Sequence, residues 1–494
     1  MNKNLRTDFL TDYLGALEDG TAALFVGAGL SRSAGYVDWK GLMREIGNGL
    51  GLDVDIETDL IAIAQYHVNE WGSRHQLNQR LVQELVEKSE STINHRILAD
   101  LPLSTVWTTN YDTLIEDAFT QAHKKVDVKR TQENLALTRP GRDVIVYKMH
   151  GDISLPDQAV LTKEDFELYP VTRSLFADML KGDLISKTFL FLGYSFSDPN
   201  IDYVLSRIRS LLGQSQRQHY CVMRRPQAPH APGADADPSE RIKHEAERAK
   251  YEYELTKLNL RIADLNRYRV KALLIDEYEE ITSLLQDLKH RIHRKNILVS
   301  GSAHDHVPMG QERLEKLSCQ IGREIISRGY NLVSGFGLGI GSTILMGALE
   351  KLYEDRKSSV SERTILRPFP QTPPIGMDKE QFKTQHRTDM ISNAGFTIFI
   401  SGNKVEATSG DTVIAEGVLE EFEIAKHLGK YPIPIGATGW AAQQIWEDVR
   451  NSIDTFYPNS NVREHFEVLG DSNRTDQEII EAIFCIIEKV IASR

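Results

Sequence analysis

The 494-residue sequence predicts an α/β protein built from two doubly wound parallel sheets, and three observations carry that expectation. Short apolar runs rich in β-branched and aromatic residues recur along the chain, separated by longer stretches with helical periodicity. The runs are apolar nearly throughout rather than alternating, as strands covered by helices on both faces are. The pattern then restarts near residue 296, which places expected domains at 1–290 and 291–494.

In chain order, strands of the first unit are predicted over AALFVG (22–27), STVWTT (104–109), VIVYKM (144–149), TFLFLG (188–193), HYCVM (219–223) and VKALLI (270–275). PQAPHAPGADADPSE (226–240) is too rich in Pro, Ala and Asp to bury a core, and predicts a surface loop. The rest of the charged insertion over 226–265 reads as a solvated helix or a hairpin facing a partner. The second unit opens with the strand NILVSGS (296–302) and an amphipathic helix over 311–329 closed by Gly329. NLVSGFGLGIGST (331–343) is a second strand and glycine turn, leading into the helix ILMGALEKLY (344–353). Strands TILRPF (364–369), FTIFIS (396–401) and YPIPIG (431–436) follow. The last helix starts with a capping box, Thr475 with Glu478, and shows one apolar face in Ile479, Ile480, Ile483, Phe484 and Ile487.

Composition bounds the chemistry. A hydrophobic content of 41 % with 26 % charged residues is ordinary for a chain with a buried core. The net charge of -12 leaves no global basic field for a nucleic-acid backbone, so no nucleic-acid partner is expected. Cys221, Cys319 and Cys485 lie far apart, which excludes a zinc ribbon and a disulfide framework; no metal is expected. Acidic residues interrupt the opening MNKNLRTDFLTDYL, and no apolar run is long enough for a membrane span, so a cytoplasmic location without membrane attachment is expected.

Three strand ends of the first unit concentrate polar groups where a parallel sheet makes one crevice. Strand AALFVG runs into GAGLSRSAGY, whose Gly27 and Gly29 suit close approach of a pyrophosphate and whose Ser31 can donate to it. A third fingerprint glycine is replaced by Arg32 and no GK[ST] follows, so a tight turn without ligand stays an alternative. After the second strand come Asn110, Tyr111 and Asp112, and after the third His150, Gly151 and Asp152. A histidine there can act as a base near neutral pH, with a capping or otherwise satisfied role as its plainer alternative; Asn110 can reach a sugar hydroxyl or a water, and Asp112 can accept from an amide. In the second unit, SGFGLGIGS (334–342) offers backbone N–H groups with little bulk to a phosphate or ribose. Arg387 and Lys404 suit phosphates and Glu421 ribose hydroxyls, though each alone also reads as a surface charge.

Taken together, GAGLS (27–31), TTNYD (108–112), YKMHGD (147–152) and GYSFSDPN (193–200) resemble, in order and spacing, the sirtuin-like NAD-consuming fold. The zinc cysteines of sirtuin deacylases are missing, and GYVDW (35–39) stands where those enzymes carry a GIP-x-F segment. By motif position the resemblance implies Asn110 and His150 as the catalytic pair, with Gly27, Ala28, Gly29, Ser31, Asp112, Gly193 and Ser195 on NAD. ILVSGSA (297–303), LVSGFGLGIGS (332–342), RTDMIS (387–392) and GVLEEF (417–422) resemble the SLOG family of Rossmann-like nucleotide-signal sensors. The PGG-x-GT-x-x-E string of the related phosphoribohydrolases is absent.

The pairing of the two, with ILRPFPQ (365–371), resembles the NADase effectors of the bacterial Thoeris anti-phage system. That resemblance implies two Rossmann-like domains, NAD+ hydrolysis to nicotinamide and ADP-ribose, and no cofactor beyond NAD+ as substrate. It also implies activation by a cyclic ADP-ribose isomer made by a TIR-domain partner, and a homotetramer through the sirtuin-like domains. The signal contacts would be Gly301, Ser302, Gly335, Gly337, Gly339, Arg387, Lys404 and Glu421. An NAD-dependent protein deacylase and a non-enzymatic nucleotide sensor are the competing readings.

Overall fold

The structure, a computed structural model, describes residues 3–493 except 37–38, 58, 87–89, 197, 232–236, 356–358, 370–371, 374–375, 407 and 459. Parts of GYVDW, of the 226–240 loop and of ILRPFPQ, and Ser197 of GYSFSDPN, lie outside the described residues. The chain forms two compact units, Met1–Lys289 and His290–Arg494.

The first unit holds strands β1 Ala22–Val26, β2 Thr105–Thr108, β3 Val126–Lys129, β4 Val144–Lys148, β5 Thr188–Leu192, β6 His219–Arg224 and β7 Val270–Ile275. They make one parallel sheet in the order β3-β4-β2-β1-β5-β6-β7. Every residue of β1 and β5 is buried, as strands covered on both faces must be. Strand β3 escaped the sequence reading because VDVK puts two charges into four residues. Those charges are buried only because they pair, Lys129 with Asp127 at 2.9 Å and Arg142 with Asp127 at 2.9 Å. Aromatic stacking fills the space beneath the sheet, with Trp107 on Tyr147 at 4.1 Å and Phe25 on Phe191 at 5.2 Å between centroids. The charged insertion is one 30-residue helix, Pro238–Arg267, capped by Asp237 and buried only at Leu265. The solvated helix, not the hairpin, is therefore realised.

Sheet order reverses at β1, whose neighbours are β2 on one side and β5 on the other. In a parallel sheet that reversal opens a crevice beyond the strand C-termini, where connections diverge.

The second unit repeats this logic with β8 Asn296–Ser302, β9 Asn331–Ser334, β10 Thr364–Leu366, β11 Phe396–Ser401, β12 Asn403–Val405, β13 Thr412–Ile414 and β14 Tyr431–Ile435. Its parallel sheet runs β10-β9-β8-β11-β14 and reverses at β8, while β12 and β13 form a separate antiparallel hairpin. Two features depart from the sequence reading. The hairpin was not foreseen, and the helix expected at 344 starts at Ile340, inside the glycine run. Glycine also explains how this helix meets Gln311–Ser327: a Cβ at Gly322 would lie 2.0 Å from the Ile344 carbonyl oxygen, and one at Gly347 1.8 Å from that of Cys319. The final helix, Asp476–Ala492, has the Thr475–Glu478 capping box, and Ile479, Ile480, Ile483, Phe484 and Ile487 are buried. Among the described residues no helix is long and apolar enough to cross a membrane.

Two buried histidines make the first unit sensitive to acid. Burial holds His95 down to about 4 and His219 down to about 3. Neutral rings are needed as acceptors: His95 Nδ1 takes the Thr92 N–H at 3.3 Å in a capping box, and His219 Nδ1 takes the Phe189 N–H at 3.2 Å. The unfolded chain binds their protons near pH 6.5 and the folded chain does not, so stability is lost as pH falls below about 6.5. We predict a drop of about 2 kcal/mol in denaturant-unfolding free energy between pH 6.5 and 5.5, about 1 kcal/mol per histidine, steepening toward about 1.4 kcal/mol per pH unit each at lower pH. A flat profile across that range would contradict it.

Candidate active site and nucleotide pocket

Around the reversal point of the first sheet, glycines allow two turns to lie against each other. Gly27 donates its N–H to Leu192 O at 2.9 Å and Gly29 to Gly193 O at 2.9 Å. A Cβ on Gly27 would meet the Gly193 oxygen at 2.5 Å, and one on Gly193, at φ +64°, would meet the Leu30 nitrogen at 2.2 Å. Turn-on-turn packing therefore accounts for these glycines, as the tight-turn alternative expected. The helix expected after the turn is the five-residue segment Ala28–Arg32, too short to add much dipole.

Ser31 and Asn110 come together across the crevice: Asn110 Nδ2 donates to Ser31 Oγ at 2.9 Å. Thr108 ties the Asn110 backbone to β1, donating to Val26 O at 2.9 Å and accepting from the Asn110 N–H at 2.9 Å. Asp112 accepts from the Leu114 N–H at 3.1 Å, in a turn just ahead of the helix Leu114–Gln121, whose N-cap is Thr113. The sequence did not single out Lys148. Its side chain is fully buried and pairs with Glu116 at 2.9 Å and Asp152 at 2.7 Å. It also donates to the carbonyls of Tyr111, at 3.2 Å, and Asp112. Burial pulls the ammonium down, but Glu116, Asp152 and Asp112 outweigh it and hold it above its ordinary value. Lys148 thus fastens the Asn110 turn to the His150 turn.

His150 lies in a tight bend whose Gly151, at φ +98°, would bring a Cβ within 3.0 Å of the Ala159 Cα. Its carbonyl accepts from the Val160 N–H at 2.8 Å, and its ring meets the edges of Phe166 and Tyr169 at 5.3 and 6.0 Å. His150 Nε2 stands 2.9 Å from Asp198 Oδ2, close but off hydrogen-bond alignment. Asp198 N-caps the helix Pro199–Leu212 through the Asn200 N–H at 2.8 Å. Burial pushes its carboxyl up, but His150 and the N–H groups of Asn200 and Ile201 together hold it below the usual range. Sequence reasoning quoted GYSFSDPN without choosing Asp198; an Asp directly before a proline at a helix start was the available signal. Ser195 is exposed on the same turn. Asn110 Oδ1, Tyr194 Oη and Asn200 Nδ2 are buried with no hydrogen-bond partner among the described residues. Buried polar atoms are nearly always paired, and a polar ligand at these strand ends would pair with them.

In the second unit the glycine run packs on the end of β8. A Cβ on Gly337 would meet the Gly301 oxygen at 1.8 Å, and one on Gly339, at φ +77°, the Ala303 oxygen at 2.6 Å. Gly335 lies under Met390, with a Cβ there 3.0 Å from its sulfur. Ser302 Oγ donates to Asn403 O at 2.9 Å. Fully buried Asn403, which sequence reasoning missed, accepts from the N–H groups of His304 at 2.8 Å and Asp305 at 2.9 Å. Arg387, on the helix Lys379–Ser392, stacks over Phe369 at 4.9 Å and pairs with Glu420 at 2.6 Å and Glu421 at 3.6 Å. Glu421 accepts from Ser300 Oγ at 2.5 Å, and burial raises its carboxyl above the usual range against the pull of Ser300 and Arg387. Arg387 and Glu421 are thus brought together, whereas Lys404 stands on the hairpin with its ammonium 3.7 Å from Glu416. Among the described residues no group of three or more His, Cys, Asp or Glu is placed to hold a metal ion.

Comparison with known proteins bears on both units. Residues 280–490 match the family model described as the Sir2- and TIR-associating SLOG family, and residues 104–252 match the SIR2-like domain. The chain is 43 % identical over 492 residues to "NAD(+) hydrolase ThsA" of Cytobacillus dafuensis, covering 98 % of this chain and 97 % of that one. It is 42 % identical over 483 residues to the protein of the same name from Bacillus cereus (strain MSX-D12), covering 98 % and 97 %. "Defense-associated sirtuin 2" of Bacillus subtilis is 26 % identical over 213 residues, 41 % of this chain and 21 % of that protein.

Removing Lys148 tests the fastening directly. Lys148→Met leaves Glu116 and part of Asp152 buried without their cation, and we predict a loss of about 3–5 kcal/mol in unfolding free energy. A loss below about 1 kcal/mol in a denaturant titration would show that the pair contributes no more than a surface ion pair.

Proposed function

This chain belongs to the ThsA family of NAD(+) hydrolases, and on that premise we propose that its first unit is a signal-gated NAD+ glycohydrolase acting in anti-phage defence. The observation that carries the assignment of residues is the set of orphaned buried polar atoms beside His150 at the reversal point of the first sheet. Hydrolysis of NAD+ breaks the bond between nicotinamide and ribose and leaves a cationic sugar centre. The site must hold the diphosphate, place the ribose and direct a water. Gly27, Ala28, Gly29 and Ser31, with Gly193 and Ser195, are assigned to the dinucleotide. Asp112 shapes that wall from the turn ahead of its helix. Asn110 Oδ1, which lacks a partner among the described residues, accepts from a ribose hydroxyl or from the water. His150 takes the proton, directly or through a ribose hydroxyl. A placed general base contributes about 10²–10⁴-fold, or roughly 2.7–5.4 kcal/mol of barrier.

The second unit is assigned to sensing. Arg387 and Lys404 would take the phosphates and Glu421 the ribose hydroxyls of a cyclic ADP-ribose isomer, beside Gly301, Ser302 and the turn of Gly335, Gly337 and Gly339. The match to a Sir2- and TIR-associating family supports a TIR-domain protein as the source of that signal. Tenfold activation requires the signal to prefer the active state by about 1.4 kcal/mol. The chain acts in the cytoplasm as a homotetramer, for which the exposed apolar residues Leu168, Val171, Leu175, Met179 and Ile185, on the helices Lys163–Thr172 and Ser174–Ser186, offer self-association contacts. A native mass equal to one 55.9 kDa chain would sink the tetramer.

Nicotinamide and ADP-ribose release from NAD+, with and without cyclic ADP-ribose isomers, tests the reading. We predict that release rises with one isomer and falls at least about 10²-fold in His150→Ala and Asn110→Ala. Full turnover by a folded His150→Ala protein would remove the residue assignment, and no release under any isomer would remove the activity. Arg387→Ala is expected to shift the activating concentration upward by about tenfold or more, as loss of a phosphate-pairing guanidinium should. Its turnover at saturating signal should stay that of the wild type; an unchanged activation curve would exclude Arg387 from the signal pocket.

A further inference from the structure

We propose that Asp198 is the positioning residue of His150, holding the imidazole through Nε2 so that Nδ1 takes the proton. The proposal rests on the reading of His150 as the base of NAD+ hydrolysis and adds a residue that reading does not contain. Both side chains are 8 % exposed, and His150 Nε2 stands 2.9 Å from Asp198 Oδ2. A carboxylate beside one imidazole nitrogen favours the tautomer with its proton there, leaving the other nitrogen as the acceptor.

Asp198 is itself immobilised. It caps a 14-residue helix whose first turn carries Pro199, and its carboxylate accepts the Asn200 N–H at 2.8 Å. The imidazole is bounded by the edges of Phe166 and Tyr169 and by the His150 carbonyl's hydrogen bond to Val160. Asp198 is the one group of this set that carries a negative charge against the ring. The contact is off alignment without ligand, as such pairs commonly are before substrate tightens them. In the reaction, the oxygen of a water bonds to ribose C1 while the C1–N bond breaks. The pyridinium nitrogen keeps the bonding pair and leaves as neutral nicotinamide. The water's proton passes to His150 Nδ1, the imidazolium is balanced by Asp198, and the proton then goes to solvent. Atoms and charge balance without any oxidant or further reactant.

Asp198→Asn and Asp198→Ser test this, because Asn and Ser cap helices about as well as Asp while removing the charge. Under conditions where the wild type releases nicotinamide, kcat should fall by at least about 10-fold, and by no more than in His150→Ala, with KM within about 2-fold. In a His150→Ala background, Asp198→Asn should cost nothing further, since a residue acting through another is lost with it. Equal losses in both backgrounds, a loss confined to KM, or turnover at or above that of the wild type would overturn the proposal. Collapse of the fold in both variants would assign Asp198 to the helix cap alone and overturn it too. Absence of nicotinamide release from the wild type would instead remove the reading on which the proposal stands.

Discussion

A lysine ammonium with no exposure to water, Lys148, holds the first unit's site together. It sits at the last position of β4, where a parallel sheet would ordinarily place an apolar side chain. Burying one charge there commits the fold to burying its partners, Glu116 from the helix after β2 and Asp152 from the turn after β4. The ammonium also takes two backbone carbonyls from the Asn110 turn. A replacement by well-packed apolar groups can be as stable as such a network, so stability alone does not account for it. What the network supplies is register. The turn bearing Asn110 and the turn bearing His150 cannot slide past one another while two buried carboxylates and two carbonyls share one nitrogen.

The same economy of backbone appears at both reversal points. In each unit a glycine-rich turn presses on a neighbouring turn so closely that a methyl group would collide with a carbonyl oxygen or a backbone nitrogen. Gly27 and Gly29 meet Gly193, and Gly337 and Gly339 meet Gly301 and Ala303. Close turns bring the two strand ends flanking the reversal into one small floor. Polar groups from helices then stand over that floor, Asp198 in the first unit and Arg387 with Glu420 and Glu421 in the second. One architecture thereby places a histidine beside a carboxylate in one unit and a guanidinium beside two carboxylates in the other, from the same strand–turn geometry.

Much of this was legible from residues alone. Strands apolar on both faces announced themselves, and β1, β2, β4, β5, β6 and β7 lie where the runs predicted. Polar residues just past strand ends were legible for the same reason, since Asn110 and His150 follow uninterrupted apolar segments. What stayed hidden depends on partners distant in sequence. Strand β3 reads as polar until Arg142 is seen to neutralise Asp127, and Lys148 reads as an anomaly until Glu116 and Asp152 are placed beside it. Asp198 lies 48 positions from His150, and only the fold brings them within 2.9 Å. The three-residue strands of the β12–β13 hairpin are too short for periodicity to register.

The central claim is that NAD+ lies across the reversal point of the first sheet with its nicotinamide ribose between Asn110 and His150. A crystal structure of the His150→Ala protein grown with NAD+ tests that most directly, since the variant is expected to bind without turning over. The account predicts a ribose hydroxyl or a water on Asn110 Oδ1, which has no partner among the described residues, and the diphosphate over the turn of Gly27 to Ser31. NAD+ bound only in the second unit, or in the first with Asn110 Oδ1 still unpaired, would contradict it.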